Sequence, residues 1–290
     1  MSIKHKNMYR IEEKEPFCKK MITIFTNDFE KGINYAIKEK CDGVFIRKFL
    51  EDDNETVDLS LLIQLKDNLF HLAISDNIVL NNVKCIEKLT NLKSIWLPII
   101  VDDLDLSFLL NLEEISIKGS STIKNIDKLN KLNLAYIKGS IGKNLMDFSG
   151  SDYIKNLILA DTNLENLEGI EKFPNLSSLE LSYNNKLKDI NALINTKITK
   201  LKILKCKKIL SVDVLKDNKS IQDLYIDNLL TLSSLVKIPT LESIGFQDLK
   251  DGNVGEVLTS SKIKEVRFYP NKKNYTHKES EINSILKNRG

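Results

Sequence analysis

The chain sets apolar against polar residues on a short, recurring schedule. Taking Leu112 as position 1, apolar residues follow at positions 4 and 6, Ile115 and Ile117, and the schedule returns twenty residues later at Leu132, Ala135 and Ile137. It recurs at Leu69/Leu72/Ile74, Leu92/Ile95/Leu97, Ile154/Leu157/Leu159 and Leu176/Leu179/Leu181. Ile198/Leu201/Ile203, Ile221/Leu224/Ile226, Leu241/Ile244/Phe246 and Ile263/Val266/Phe268 complete it. The ten starts lie 20 to 23 residues apart, a spread too narrow for chance, and Cys41/Val44/Ile46 is a weaker, earlier copy. Alternation with period two predicts a short strand in each copy, with positions 4 and 6 facing inward and 3, 5 and 7 facing outward.

The second half of each copy steps by three. Leu187/Ile190/Leu193, Ile123/Ile126/Leu129, Ile209/Val212/Leu215, Leu232/Leu235/Ile238 and Leu80/Val83/Ile86 share that spacing, which suits a 3₁₀ or single α turn. Position 9 is small and polar, or cysteine, in seven copies: Asn77, Ser120, Ser140, Thr162, Asn184, Cys206 and Asn271. Such side chains suit a sharp turn that leaves backbone groups facing inward. Ile100, Leu229 and Leu249 interrupt the ladder. A strand, a turn and a helical return cannot bury an apolar face alone, so neighbouring copies must stack.

Two stretches, LSSLELSYNNKL (176–187) and ITKLKILKCKKI (198–209), fit the pattern L-x-x-L-x-L-x-x-N/C-x-L, the second with Ile for Leu. On these residues the chain resembles the leucine-rich repeat family, in particular the short repeats of about 22 residues in phosphatase regulators and bacterial internalins. The resemblance implies an α/β solenoid with a parallel sheet on the concave face, short helical or 3₁₀ returns on the convex face, and helical caps. It divides the chain into an N-terminal cap region, 1–64, holding the degenerate first copy, a ten-repeat array, 65–271, and a C-terminal cap or tail, 272–290. Residues 27–40 read as a capping helix with Phe29, Ile33, Tyr35, Ala36 and Ile37 apolar and Asn27 or Asp28 at its start. The tail carries Ile282, Ile285 and Leu286 to close the other end. With no Pro/Gly/Ser-rich linker, one continuous domain is expected.

Charge and composition narrow the function. With 43 basic and 40 acidic residues the net charge is +3, which gives no general case for nucleic acid or an anionic membrane as partner. The four cysteines form no C-x-x-C or zinc spacing. The N-terminal residues are charged where a signal peptide is apolar, and no apolar run is long enough to span a bilayer. A cytoplasmic protein is therefore expected. The wealth of Lys, Asn and Ile suggests a bacterial source with an AT-rich genome. His5, His71 and His277 are scattered, with His71 on an outward strand position, and no nucleotide, hydrolase or metalloprotease motif occurs. Cys206 occupies the ladder position, and the acidic pairs Asp52/Asp53 and Asp102/Asp103 lack partners that would tune them. No catalytic residue, metal or cofactor is expected, and the reading is non-enzymatic.

What remains is the outward face of the strands. Position 5 holds the single tryptophan, Trp96, together with Tyr136, Ile158, Glu180, Lys202 and Tyr225. Lys118, Lys138, Lys200 and Asp227 stand at neighbouring outward positions. Aromatic anchors beside mixed charge suit a protein partner better than a polyanion. These ten residues are the expected partner-binding surface, gripping a protein on the concave face. Three roles fit: a bacterial immunity or inhibitor protein neutralising a cognate toxin such as a nuclease, a virulence effector or internalin-like binder of a host protein, and a regulatory subunit of an enzyme such as a phosphatase. A monomer, or a heterodimer with that partner, is expected.

Overall fold

All thirty residues at positions 1, 4 and 6 of the ten copies are buried, none more than 5% exposed. They stack because the strands that carry them pair in parallel and in register, as seen in the computed structural model, which describes residues 9–14, 16–49, 56–98, 104–119 and 125–289. The chain divides into two compact units, Met1–Ile137 and Lys138–Gly290. No linker marks the division because it falls inside a strand.

In the first unit, β1 (Arg10–Lys14) pairs antiparallel with β2 (Cys18–Phe25). Helix α1 (Phe29–Lys38) leads to β3 (Gly43–Arg47). The short β4 (Thr56–Asp58) and β6 (Val79–Asn81) pair with each other and flank β5 (His71–Ile74) in sequence. β7 (Ser94–Leu97), β8 (Glu114–Gly119) and β9 (Leu134–Gly139) continue the main sheet, whose order is β1-β2-β3-β5-β7-β8-β9. Position 4 aligns through Val44, Leu72, Ile95 and Ile115. Ile22 and Ile24 of β2 join the same columns, opposite Val44 and Ile46. The stacking thus begins one strand earlier than the schedule indicates, since the residue at position 1 of that copy is Lys19.

Helix α1 buries Phe29, Ile33 and Ala36. Gly32 packs directly on the Ile24 side chain, so close that a Cβ there would collide with it. Asp28 is the N-cap by backbone position, but its side chain accepts from Lys31 Nζ at 3.2 Å rather than from the helix backbone. Tyr35 and Ile37, the other two apolar residues of the helix noted above, are exposed.

The second unit continues with β10 (Asn156–Ala160), β11 (Ser178–Ser182), β12 (Lys200–Leu204), β13 (Asp223–Leu229), β14 (Ser243–Leu249) and β15 (Glu265–Phe268), each parallel to the next. Leu157, Leu179, Leu201, Leu224, Ile244 and Val266 form one buried column. An edge strand leaves unpaired backbone groups. Here α2 (Glu279–Lys287) lies against β15, with Ile282 and Leu286 buried. Asn283 closes the edge: its Oδ1 accepts from Val266 N at 2.8 Å, and its Nδ2 donates to Val266 O at 2.7 Å.

The returns are 3₁₀ turns, as the three-residue steps require; examples are Val83–Lys88, Asn191–Asn195, Asp213–Asp217 and Leu235–Lys237. Small polar side chains fix their starts. Asp58 accepts from Ser60 N and Asp105 from Ser107 N, both at 2.9 Å. The left-handed Asn82 and Asn125, one copy on, donate to Asp58 and Asp105 at 2.8 Å. These side-chain hydrogen bonds, foremost that from the asparagine, hold both carboxyls below their usual range.

The position-9 ladder is real but short. Asn184, fully buried, accepts from Thr162 N at 2.8 Å and from Thr162 Oγ1 at 2.6 Å, and donates to Leu159 O at 2.8 Å. Cys206 repeats the last contact toward Leu181 O at 3.5 Å. Asn77, Ser140 and Asn271 are exposed instead. Asn77 has positive φ and turns the chain itself. Ser120, Ile100, Ile123 and the two acidic pairs lie outside the described residues.

Candidate partner-binding surface

In the first unit the outward face of β7 centres on Trp96, 38% exposed. Its indole Nε1 donates to Glu114 Oε1 at 3.1 Å. Its ring meets His71 edge-on, 5.7 Å between centroids, and His71 in turn stacks on Phe17 at 6.5 Å. The indole is therefore held on two sides, which lowers the rotamer entropy that a contact would cost. His71 stands at an outward strand position but is not open to a partner. It is 1% exposed because Phe17, from the turn before β2, lies over it. Lys118 on β8 is exposed and Tyr136 on β9 is half-buried. Two further cations lie over rings of this unit, Lys93 over Phe70 and Arg47 over Phe45, each at 5.7 Å.

In the second unit, Lys138 is half-buried just after the division, and Ile158 opens a row set by the parallel register. Ile158, Glu180, Lys202, Tyr225, Gly245 and Arg267 are direct neighbours in that order. Glu180 and Lys202 pair at 3.7 Å, and Arg267 pairs with Asp223. Gly245 makes room for its neighbour: a Cβ there would lie 2.5 Å from Tyr225 Cδ2, so the phenol ring lies against the glycine. Burial raises the Tyr225 hydroxyl above its usual pKa; Asp227 adds to this and Arg267 opposes it. Lys200 and Lys202 are exposed.

Asp227 departs from expectation. It is 5% exposed and accepts from Lys205 N at 2.8 Å, with Lys205 Nζ at 4.0 Å. Its carboxylate holds the turn after β12, where Lys205 takes a left-handed backbone. Position 7 is exposed at Gln247 and Tyr269 of this unit but buried in two other copies as well, at Ala160 and Ser182. The small residues at those two places were the available signal.

Cys206 is buried, and burial raises its thiol pKa, against hydrogen bonds from Asn184 that lower it. Among the described residues no group of three or more His, Cys, Asp or Glu side chains is placed to hold a metal ion, and no helix is long and apolar enough to cross a membrane.

No protein-family model and no curated protein matches the chain. Among solved structures it is similar to an internalin, InlF, of Listeria monocytogenes, with 16% identity over 87% of this chain and 80% of that one, at a TM-score of 0.49. It is also similar to the functional domain of InlJ from the same organism, which includes a cysteine ladder. That match has 14% identity and a TM-score of 0.36, covering 85% of this chain and 62% of that one. The leucine-rich repeat architecture rests on the chain's own evidence: the periodic apolar columns, the parallel register and the 3₁₀ returns.

Proposed function

We propose that the protein is a non-enzymatic binding module that grips a protein partner with the outward face of its sheet strands. The carrying observation is Trp96, an exposed aromatic held in place by Glu114 and His71. Large rigid aromatics dominate binding hot spots because they bury much area for few lost torsions. Tyr136 and Lys118 in the first unit, and the row of Ile158, Glu180, Lys202 and Tyr225 in the second, supply further contact area and mixed charge.

The role we favour is inhibition of a toxin in the bacterial cytoplasm, by covering the toxin's active site. A cognate nuclease suits the mixed carboxylates and lysines of this face as well as the aromatic anchors, since complementary charge speeds and orients such encounters. Affinity capture with the full chain, followed by mass spectrometry, tests this. A toxin recovered with its activity suppressed supports inhibition. A host protein or a phosphatase replaces that role with an effector or a regulatory subunit. Recovery of no protein at low or high salt overturns the reading. The Trp96→Ala/Tyr136→Ala double variant then tests the surface: unchanged affinity for the recovered partner removes it from the interface.

A further inference from the structure

Residues 197–208, KITKLKILKCKK, carry six lysines and no acidic residue, while the whole chain has a net charge of only +3. The rest of the chain is therefore net acidic, and the positive charge is gathered in one repeat. Lys202 and Lys205 have carboxylate partners, Glu180 and Asp227. Lys197, Lys200, Lys207 and Lys208 are exposed and form no ion pair among the described residues. Folding leaves those four charges uncompensated, which a partner of opposite sign would relieve.

The same repeat has a gap. Ile209 and Val212 are only half-buried, although their counterparts Leu187 and Ile190 in the preceding copy and Leu232 and Leu235 in the following one are buried. A surface cavity of about 510 Å³ opens there, with Lys205 and Lys207 among its lining residues. Leu210 and Leu230 also line it and are 81% and 67% exposed. Two leucines this open beside a half-filled apolar step make a patch that water solvates poorly.

We propose that this cavity and its lysines dock an acidic segment of a protein partner, which inserts an apolar side chain between Leu210 and Leu230 while its carboxylates meet Lys207 and Lys208. The proposal rests on the protein-binding reading above and adds a second contact, in the second unit, with its own chemistry. The volume falls in the roughly 300–1,000 Å³ range of small-molecule pockets, room enough for one apolar side chain. A nucleic acid fits less well. The lining includes no aromatic ring to stack on a base, whereas its apolar residues suit an aliphatic or aromatic side chain.

The test uses the full chain and three fluorescent probes. One is a short peptide of Asp and Glu with a central Leu-Phe pair, the second has Ser-Ser in its place, and the third is oligothymidylate of matched charge. Anisotropy titrations at low and high salt should show the Leu-Phe peptide binding about tenfold or more tighter than the Ser-Ser peptide, the gain of burying one apolar side chain. Salt should weaken both peptides. Leu210→Ser/Leu230→Ser should erase that preference, and Lys207→Glu/Lys208→Glu should weaken both peptides about tenfold. All four residues are exposed, so the variants should melt like the parent by circular dichroism. Equal binding of the two peptides, tighter binding of oligothymidylate, or indifference to either variant overturns the proposal. If a partner is captured but the Leu-Phe preference is missing, only this proposal fails. If no partner is captured, the reading beneath it fails as well.

Discussion

Asn184→Ala isolates what the polar ladder contributes. The Asn184 side chain is fully buried and ties its turn to the preceding copy twice: Oδ1 takes the Thr162 backbone N–H and Nδ2 reaches the Leu159 carbonyl, each at 2.8 Å. Alanine leaves one backbone donor and one acceptor buried without a partner, at about 1–3 kcal/mol each. The expected loss is therefore about 2–6 kcal/mol, a large share of the 5–15 kcal/mol that stabilises a typical domain. Urea titration followed by far-UV circular dichroism measures it. Ser140→Ala is the matched control, since Ser140 occupies the same place in its copy but is exposed, and it should change stability by no more than about 0.5 kcal/mol. A loss below about 1 kcal/mol for Asn184→Ala, or an equal loss for Ser140→Ala, would show that the ladder is not a buried hydrogen-bond system.

Two further perturbations follow from the same geometry. Asn283→Ala removes both hydrogen bonds that close the β15 edge, so it should cost about 1–3 kcal/mol and increase light scattering at high concentration, because an open edge templates further pairing. Burial is the main cause raising both the Cys206 and the Cys41 thiol pKa, so iodoacetamide at neutral pH should modify them far more slowly than the half-exposed Cys85. With the folded values above the unfolded ones, these thiols add stability that is complete below the ordinary thiol pKa and is lost as pH rises through the folded values. Melting curves taken at increasingly alkaline pH check that sign.

The apolar schedule was legible because it is strictly local: each strand carries its own positions 4 and 6, and parallel register superposes them. Leu157, Leu179 and Leu201 need no distant information to find one another. Strand β2 was missed because Lys19 replaces the apolar residue at position 1, although Ile22 and Ile24 keep the alternation. The burial of His71 was hidden for a different reason. Its strand parity points outward as expected, but Phe17, over fifty residues earlier, covers it, and no local pattern encodes that contact. Asp227 is buried where its carboxylate takes the Lys205 N–H of the preceding copy's turn, a contact between copies that alternation alone does not express. The cavity beside Leu210 was invisible because Ile209 and Val212 obey the three-residue step as well as their neighbours do; only packing distinguishes them.

The chain has a single tryptophan, and it is the exposed aromatic anchor of the proposed binding face in the first unit. Labelling it with 5-fluorotryptophan gives one fluorine resonance that reports Trp96 alone, even against an unlabelled partner rich in tryptophan. Titrating the captured partner to saturation should shift that resonance and abolish its sensitivity to H₂O–D₂O exchange as the indole leaves water. A resonance that keeps both its position and its solvent sensitivity in the saturated complex would place the partner elsewhere and contradict the account.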